Sequence, residues 1–568
     1  MKRVLGYLRP LLPKMGWQLL IKLVGTVVEL MLPWMLSYIL DKLTPLGQMG
    51  PIWLWGGLMA LCAATARVCN IVANRMATRI SRAATRQLRH DLYQRTSHLS
   101  CAQVDGFTTS SLVSRMTSDT YNVHLMIDRM QRLGVRAPIM LLGGLAMTIS
   151  LEPVLSLVLL GVLPLLGAVV WFVSTRSVPL YTRTQAALDG LVRKVQENMS
   201  GVRVIKALSK VEYEQSRFDA QNRELAEKER QAGVLAAVTN PVMNLLLNLG
   251  LTLVVVVGAY RVSGGATQPG TIIAFLSYFT MILNALMMVS RLFTLYSKGA
   301  ASARRIAQVL DCPDDMPLKA ARREDTPYQM EFSHVTFSYN KRAPNLTDIS
   351  FRLKKGETLG IIGPTGSGKS TVLQLLMRFY DPDEGDIRID GRPVASIPPE
   401  ELYSLFGVAL QNDFLMADSI RENIDYGRAL PLEALRHAAR AAQAGFIDEK
   451  LEGMALELTQ KGANLSGGQK QRLLIARALA GDPRILLLDD SSSALDYRTD
   501  AELRKALARE YGDTTTIIVA QRVSSILHAD HILVLEEGRA IGYGTHQELL
   551  QSCPDYREIT RVQMGEVA

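Results

Sequence analysis

Cysteine is scarce. The 568 residues hold five, Cys62, Cys69, Cys101, Cys312 and Cys553. They are odd in number, scattered and without a histidine cluster, which excludes a disulfide framework and a zinc site. Cys62 and Cys69 lie two turns apart in an apolar stretch and read as small packing residues. A small-residue cleavage site is missing from the basic, amphipathic start MKRVLGYLRPLLPKMG, so residues 1–16 read as an interfacial helix and not as a removed signal. Lysine is absent from residues 76–132, although that stretch carries eight arginines.

What the chain has in quantity is apolar length, most of it ahead of the polar run LKAARREDTPYQ at 318–329, which reads as a linker between domains. Stretches able to cross about 30 Å of hydrocarbon, at about 1.5 Å per residue, fall near 17–40, 51–74, 134–151, 153–175, 240–260 and 270–293. Residues 176–238 carry eleven lysines plus arginines, whereas the connections at 41–52, 150–153 and 261–270 carry one, none and one. This positive-inside pattern places the two long basic arms and both chain ends in the cytosol. It also assigns the net charge of +9 to membrane topology and away from nucleic acid.

Pro153 suits the first turn of a helix and forces a tight external hairpin. The arms turn near 103–119 and 204–218, where they are placed to press on another cytoplasmic domain or simply to present a solvated charged face. Within the spans, Asn240, Asn244 and Asn248 recur every four residues and share a helix face. They fit helix-to-helix hydrogen bonding as well as a substrate cavity, and Met287 in the Met-rich sixth span has the same two readings. Lys22, Glu29 and Arg67 require partners or a wet cavity at membrane depth.

After the polar run, short apolar strands alternate with charged helices, the pattern of an α/β domain over 330–568. The strand-like TLGII is followed by Gly363, Pro364, Thr365, Gly366, Ser367, Gly368, Lys369, Ser370 and Thr371, and then by an apolar helix. This is a phosphate loop in the strand-to-helix context that gives the motif meaning: backbone N–H groups cradle phosphates, Lys369 reaches the β and γ phosphates, and Ser370 holds Mg2+. ILLLDD adds Asp489 as the metal carboxylate.

Between these motifs lies NLSGGQKQRLLIARAL, and with it the chain resembles the ATP-binding cassette (ABC) transporters, in particular exporter-type half-transporters. The resemblance covers nearly the whole sequence. It implies a multidomain membrane protein in which an all-α six-helix domain (17–317) precedes an α/β ATPase domain, with ATP and Mg2+ as cofactors. Leu465, Ser466, Gly467, Gly468 and Gln469 resemble the family signature, which in the family faces ATP held by a second half-transporter chain. Tyr339 resembles the adenine platform, Gln411 the magnesium-sensing glutamine, and Asp496 the loop that crosses the dimer. The two cytoplasmic turns resemble coupling helices.

Three positions depart from that pattern. Asp490 stands where a catalytic glutamate is usual, Gln521 where a switch histidine is usual, and Gln460 where an acid usually precedes the signature. A carboxylate one methylene short retreats from the water it should orient, and misplacement on the order of 1 Å costs about 10²-fold. Gln521 cannot carry the charge of a protonated imidazole. The expectation is a slow ATP site in the degenerate half of a heterodimeric exporter of drugs, lipids or peptides in the cytoplasmic membrane. A homodimer with two weak sites and an ATP-sensing regulatory subunit are the alternatives.

Overall fold

The computed structural model describes residues 1–411, 413–491 and 493–564. Within the helices, the side chains at 166, 170, 173, 174, 177, 178, 236, 239, 240, 290 and 294 lie outside the description. The chain divides into two compact units, Met1–His98 with Thr109–Cys312, and Leu99–Thr108 with Pro313–Ala568.

The first unit is helical. Six long helices carry the six apolar stretches: α1 (Leu12–Tyr38), α2 (Met49–Ser97), α3 (Thr120–Leu151), α4 (Pro153–Ser200), α5 (Val211–Ser263) and α6 (Pro269–Leu310). Among the described residues, five helical stretches are long and apolar enough to cross a membrane, and Pro153–Val169 of α4 is a shorter apolar stretch. The chain is thus a multi-pass membrane protein. The N-terminal helix is shorter than expected: Lys2–Gly6 is helical, and α1 already begins at Leu12, where Pro13 occupies a first-turn position.

Only Glu152, in extended conformation, separates α3 from α4. Its carboxylate accepts from Arg261 Nη2 at 2.8 Å and ties the hairpin to the end of α5. Helices α4, α5 and α6 pack around Leu155, Leu159, Met243, Val254, Phe275, Phe279 and Ile282. The backbone approach is close: a Cβ on Gly250 would lie 2.5 Å from Phe279 Cζ.

The buried charges of the spans find partners. Lys22 donates to Asn70 Oδ1 at 2.8 Å and Asn74 Oδ1 at 3.0 Å, and Arg136 Nη2 bridges both oxygens of Glu29 at 2.9 and 3.1 Å. Arg67 is exposed.

The second unit contains two sheets. One is antiparallel, in the order β2 (Leu346–Lys354), β1 (Tyr328–Phe337), β4 (Glu384–Ile389), β5 (Arg392–Pro393). The other runs β10 (Arg539–Gly544), β9 (His531–Glu536), β3 (Thr358–Ile362), β8 (Thr515–Val519), β7 (Ile485–Asp489), β6 (Phe406–Ala409), and is parallel except for β10. All five residues of β7 are buried, as expected of a central parallel strand. The apolar core between the sheets holds Phe332, Phe351, Leu373, Leu376 and Leu487. The run expected to be a linker is partly anchored, since Lys319 N and Glu324 N donate to the carbonyls of Ala395 and Gly391.

The first of the two expected turns differs from its expected bounds. Cys101–Phe107 is a helix of its own, started by a capping box between Ser100 and Gln103 and ended at Thr108, whose φ is 64°. It clusters with the second unit, while residues from Thr109 onward lead into α3. Ser100 Oγ donates to Asp315 at 2.9 Å, Gln103 Nε2 to the Pro313 carbonyl at 2.7 Å, and Tyr380 Oη to Asp105 at 2.6 Å. The second turn comprises the helix Val202–Ala207 and the start of α5 at Val211.

Candidate nucleotide site

The phosphate loop takes its shape from glycine. Gly366 and Gly368 have φ of 87° and 99°, a region that side-chain-bearing residues seldom enter, and a Cβ on Gly368 would meet Leu346 Cδ2 at 2.5 Å. The loop opens directly into α7 (Lys369–Leu376), so helix N–H groups and the positive end of the helix dipole face the same space as the loop amides. That space is a cavity of about 280 Å³ lined by Thr365, Gly366, Gly368, Lys369, Ser370, Thr371, Gln411, Asp489, Asp490 and Gln521, together with Asn345 and Val519. Lys369 Nζ donates to the carbonyls of Gly363 and Pro364 at 2.9 and 2.8 Å, so its ammonium is held at the loop, with no carboxylate contact among the described residues. Ser367 is buried beneath the loop.

Charge in the cavity is finely opposed. Burial pushes the Asp489 carboxyl above its ordinary range, a hydrogen bond from Ser370 pulls it back, and Asp490 beside it pushes it up again. Burial likewise raises Asp490, against Lys369 and Arg522, while burial lowers Lys369 against both aspartates. The oxygen donors Ser370, Gln411 and Asp489 suit a hard cation that keeps its remaining positions for phosphate and water, as Mg2+ does. Among the described residues no cluster of three or more His, Cys, Asp or Glu is arranged to hold a metal by itself.

The Asp490 side of the cavity is arranged differently. Asp490 has φ 48°, a left-handed conformation that Asp tolerates better than most residues. Its Oδ2 accepts from Gln521 Nε2 at 3.0 Å and from Gln411 Nε2 at 3.3 Å. The two departures expected to weaken hydrolysis therefore touch each other. Gln521 is itself braced: Gln563 Nε2 donates to the Gln521 carbonyl at 2.8 Å, and Gln563 Oε1 accepts from Val523 N at 2.7 Å. Gln563 carries no motif, and nothing in the sequence marks it.

Tyr339 stands at the other end. Its ring is half exposed and meets Phe337 and Tyr380 edge-on at 4.8 and 5.0 Å, while its hydroxyl contacts Gln374 and Thr371. The exposed part of the ring is accessible for stacking.

The signature is not part of this cavity. Ser466 caps α8 (Gly467–Leu479): its Oγ accepts from Gln469 N at 3.3 Å and its N–H donates to Gln469 Oε1 at 2.9 Å. Leu465 is buried, Ser466 and Gly467 are exposed, and Gly468 and Gln469 are half-buried. The helix thus presents its N-terminus to the surface. Gln460 begins the short turn before it. Asp496 caps α9 (Tyr497–Glu510), accepting from Thr499 N and Oγ1 at 2.8 and 2.9 Å. Gln471, two residues beyond the signature, escaped the motif reading. It accepts from Ala494 N at 2.9 Å and donates to Ser493 Oγ at 3.0 Å, tying α8 to the turn after Asp490.

In the spans, Asn244 and Asn248 are exposed in the protomer, the Asn240 side chain lies outside the described residues, and Met287 packs against the α4–α5–α6 core.

These features define a phosphate-loop nucleotide-binding domain joined to a multi-pass helical domain. Residues 15–286 match the family profile of the ABC transporter transmembrane region and residues 346–493 that of the ABC transporter domain. An uncharacterized ABC transporter ATP-binding protein of Bacillus subtilis, YfiB, is 36% identical over 100% of this chain and 99% of its own. A fatty acid ABC transporter ATP-binding/permease protein of Mycobacterium bovis is 32% identical over 88% of this chain and 78% of its own. The solved structure of a bacterial Atm1-family ABC exporter with ATP bound superposes with a TM-score of 0.83 at 25% identity, covering 99% of both chains. The chain belongs to the ABC transporters, as an exporter-type half-transporter with its transmembrane region fused ahead of its ATP-binding domain.

Proposed function

We propose that the chain is one half of a heterodimeric ATP-driven exporter in the cytoplasmic membrane, with its ATPase domain in the cytosol. In this reading it binds ATP with Mg2+, turns it over slowly, and lends its signature to the partner's catalytic site. The observation that carries the reading is Asp490, whose Oδ2 receives both the Gln411 and the Gln521 amides. A carboxylate acting as general base must have an oxygen within reach of the water proton it takes. Here the short side chain is held back by two donors that cannot accept that proton.

The glycine-loop N–H groups and the α7 N-terminus bind and orient the phosphates, and Lys369 neutralises them. Ser370, Gln411 and Asp489 would hold Mg2+, which when bound would neutralise charge on the phosphates. Tyr339 stacks on the base. The exposed Ser466–Gly467 N-terminus offers amides and a dipole to a phosphate that lies outside this chain's own cavity, which supports two composite sites in a dimer. ATP bound between the two domains favours their closed state, and that difference in affinity drives alternating access.

For the substrate, the fatty acid transporter among the relatives favours amphipathic, lipid-like molecules over peptides. The test is ATP turnover by the purified chain alone and after co-purification with a second half-transporter carrying glutamate and histidine at the two departed positions. Turnover should be poor alone and rise sharply in the pair. Equal turnover in both preparations would favour the homodimer.

A further inference from the structure

The ATPase domain holds a second cavity, of about 460 Å³, away from the phosphate loop. It lies between α9, the strands β3 and β8, and the turn 525–529 that follows Gln521. Leu507, Ala508, Tyr511 and Ile518 make its lining mainly apolar, and Thr358 and Ser525 add hydroxyls. Volume and composition match sites that enclose small molecules.

The charge of the cavity is one-sided. Among the described residues, Arg504, Lys505 and His528 line it, and no carboxylate does. Arg504 is committed, pairing with Asp500 at 3.2 Å and reaching the Ser524 carbonyl. Lys505 and His528 are exposed and have no acidic partner among the described residues. We infer that this cavity is a regulatory site for a compact apolar carboxylate, its ring or branched chain against Leu507 and Ile518 and its anion toward Lys505 and His528.

The position of the cavity says what its occupancy would do. One wall, α9, is capped by Asp496 in the turn after β7, and the opposite wall continues from Gln521. Two contacts already join these walls: Arg522 lies over the Tyr497 ring at 4.9 Å, and Arg504 reaches Ser524. A ligand wedged between them adds a third link. It biases the turn carrying Gln521 and therefore shifts nucleotide affinity, and by linkage ATP shifts the affinity of the acid equally.

The test uses the full chain in nanodiscs and 4-(trifluoromethyl)phenylacetate as probe, read by 19F line broadening. Saturable broadening is expected in the wild type. It should be lost in Ala508→Trp, which fills the cavity from the exposed face of α9, and be weakened by about fivefold or more in Lys505→Glu. The corresponding uncharged amide should bind more weakly than the acid. Saturating probe should change ATP affinity by about fivefold in the wild type and leave it unchanged in Ala508→Trp. Absence of saturable binding, or equal binding by wild type and Lys505→Glu, overturns the site. Binding without any change in ATP affinity overturns its regulatory role.

Discussion

On one side of the nucleotide cavity the glycine loop, Lys369, Ser370 and Asp489 converge with their binding groups turned to the same space. On the other side, Asp490 is occupied by the amides of Gln411 and Gln521. The contrast teaches that binding and hydrolysis are separable demands on one cavity. Phosphate affinity needs N–H groups and a cation, whereas hydrolysis also needs a base at the right distance, and a chain can keep the first while giving up the second.

The sharpest way to break this comparison sets the signature against the aspartate in the assembled pair. Ser466→Arg places bulk and charge at the exposed N-terminus of α8 and should reduce ATPase and transport to about 1% or less, the scale of losing an essential phosphate contact. Asp490→Asn should cost less than about threefold if, as proposed, the carboxylate it removes is too short to orient water. Steady-state ATPase of the two variants decides between them. Reversed effects would make Asp490 the working base.

Next in size is repair. Asp490→Glu combined with Gln521→His lengthens the acid and replaces the second amide donor, and should raise turnover by this chain's own site by about tenfold or more. The left-handed backbone at position 490 accepts glutamate less readily than aspartate, so the single Asp490→Glu change should do less than the pair and lower stability slightly.

A smaller effect probes the binding side through pH. Asp489 is raised by burial, so the folded chain holds its proton more tightly than the unfolded chain does. This group therefore adds stability as pH falls through the raised folded value, and that contribution is lost as pH rises through it. Without nucleotide or Mg2+, Asp489→Asn should raise the unfolding temperature of the ATPase domain at pH 7. The gain should shrink as pH falls into the ordinary carboxylate range. The same change should abolish the extra stabilisation that Mg2+ gives in the presence of ATP. Thermal unfolding of the full chain across this pH range reads both.

The smallest effects separate packing from cavity in the spans. Met287→Ala should cost about 1–2 kcal/mol of stability, since Met287 packs against the α4–α5–α6 core, whereas exposed Asn244→Ala should cost nearly none. Transport of a hydrophobic dye altered by Asn244→Ala at unchanged stability would favour the cavity reading for the asparagine face.

Much of this was legible in residue order, because phosphate binding depends on local backbone. GPTGSGKST fixes a loop within nine residues, and LSGGQ fixes a capped helix start within five. The long helices were legible from apolar length, and the Glu152 hairpin from Pro153. Long-range contacts were not. The Gln521–Asp490 bond spans 31 positions, the Gln563–Gln521 bond 42 and the Tyr380–Asp105 bond 275, and no spacing rule connects such pairs. The turn expected over 103–119 divides at Thr108, which composition does not reveal: its positive φ ends the short helix and separates it from the run into α3.

The central claim is that this chain's own site holds ATP without readily cleaving it. The most direct measurement incubates the purified chain with radiolabelled ATP and Mg2+, removes free nucleotide, and follows the ratio of bound ATP to ADP over time, with Lys369→Ala as the binding control. The account predicts that nucleotide is retained and stays ATP for minutes, with no retention by the control. Conversion to ADP at roughly 1–10 per second, the range of ordinary enzymes, would contradict it.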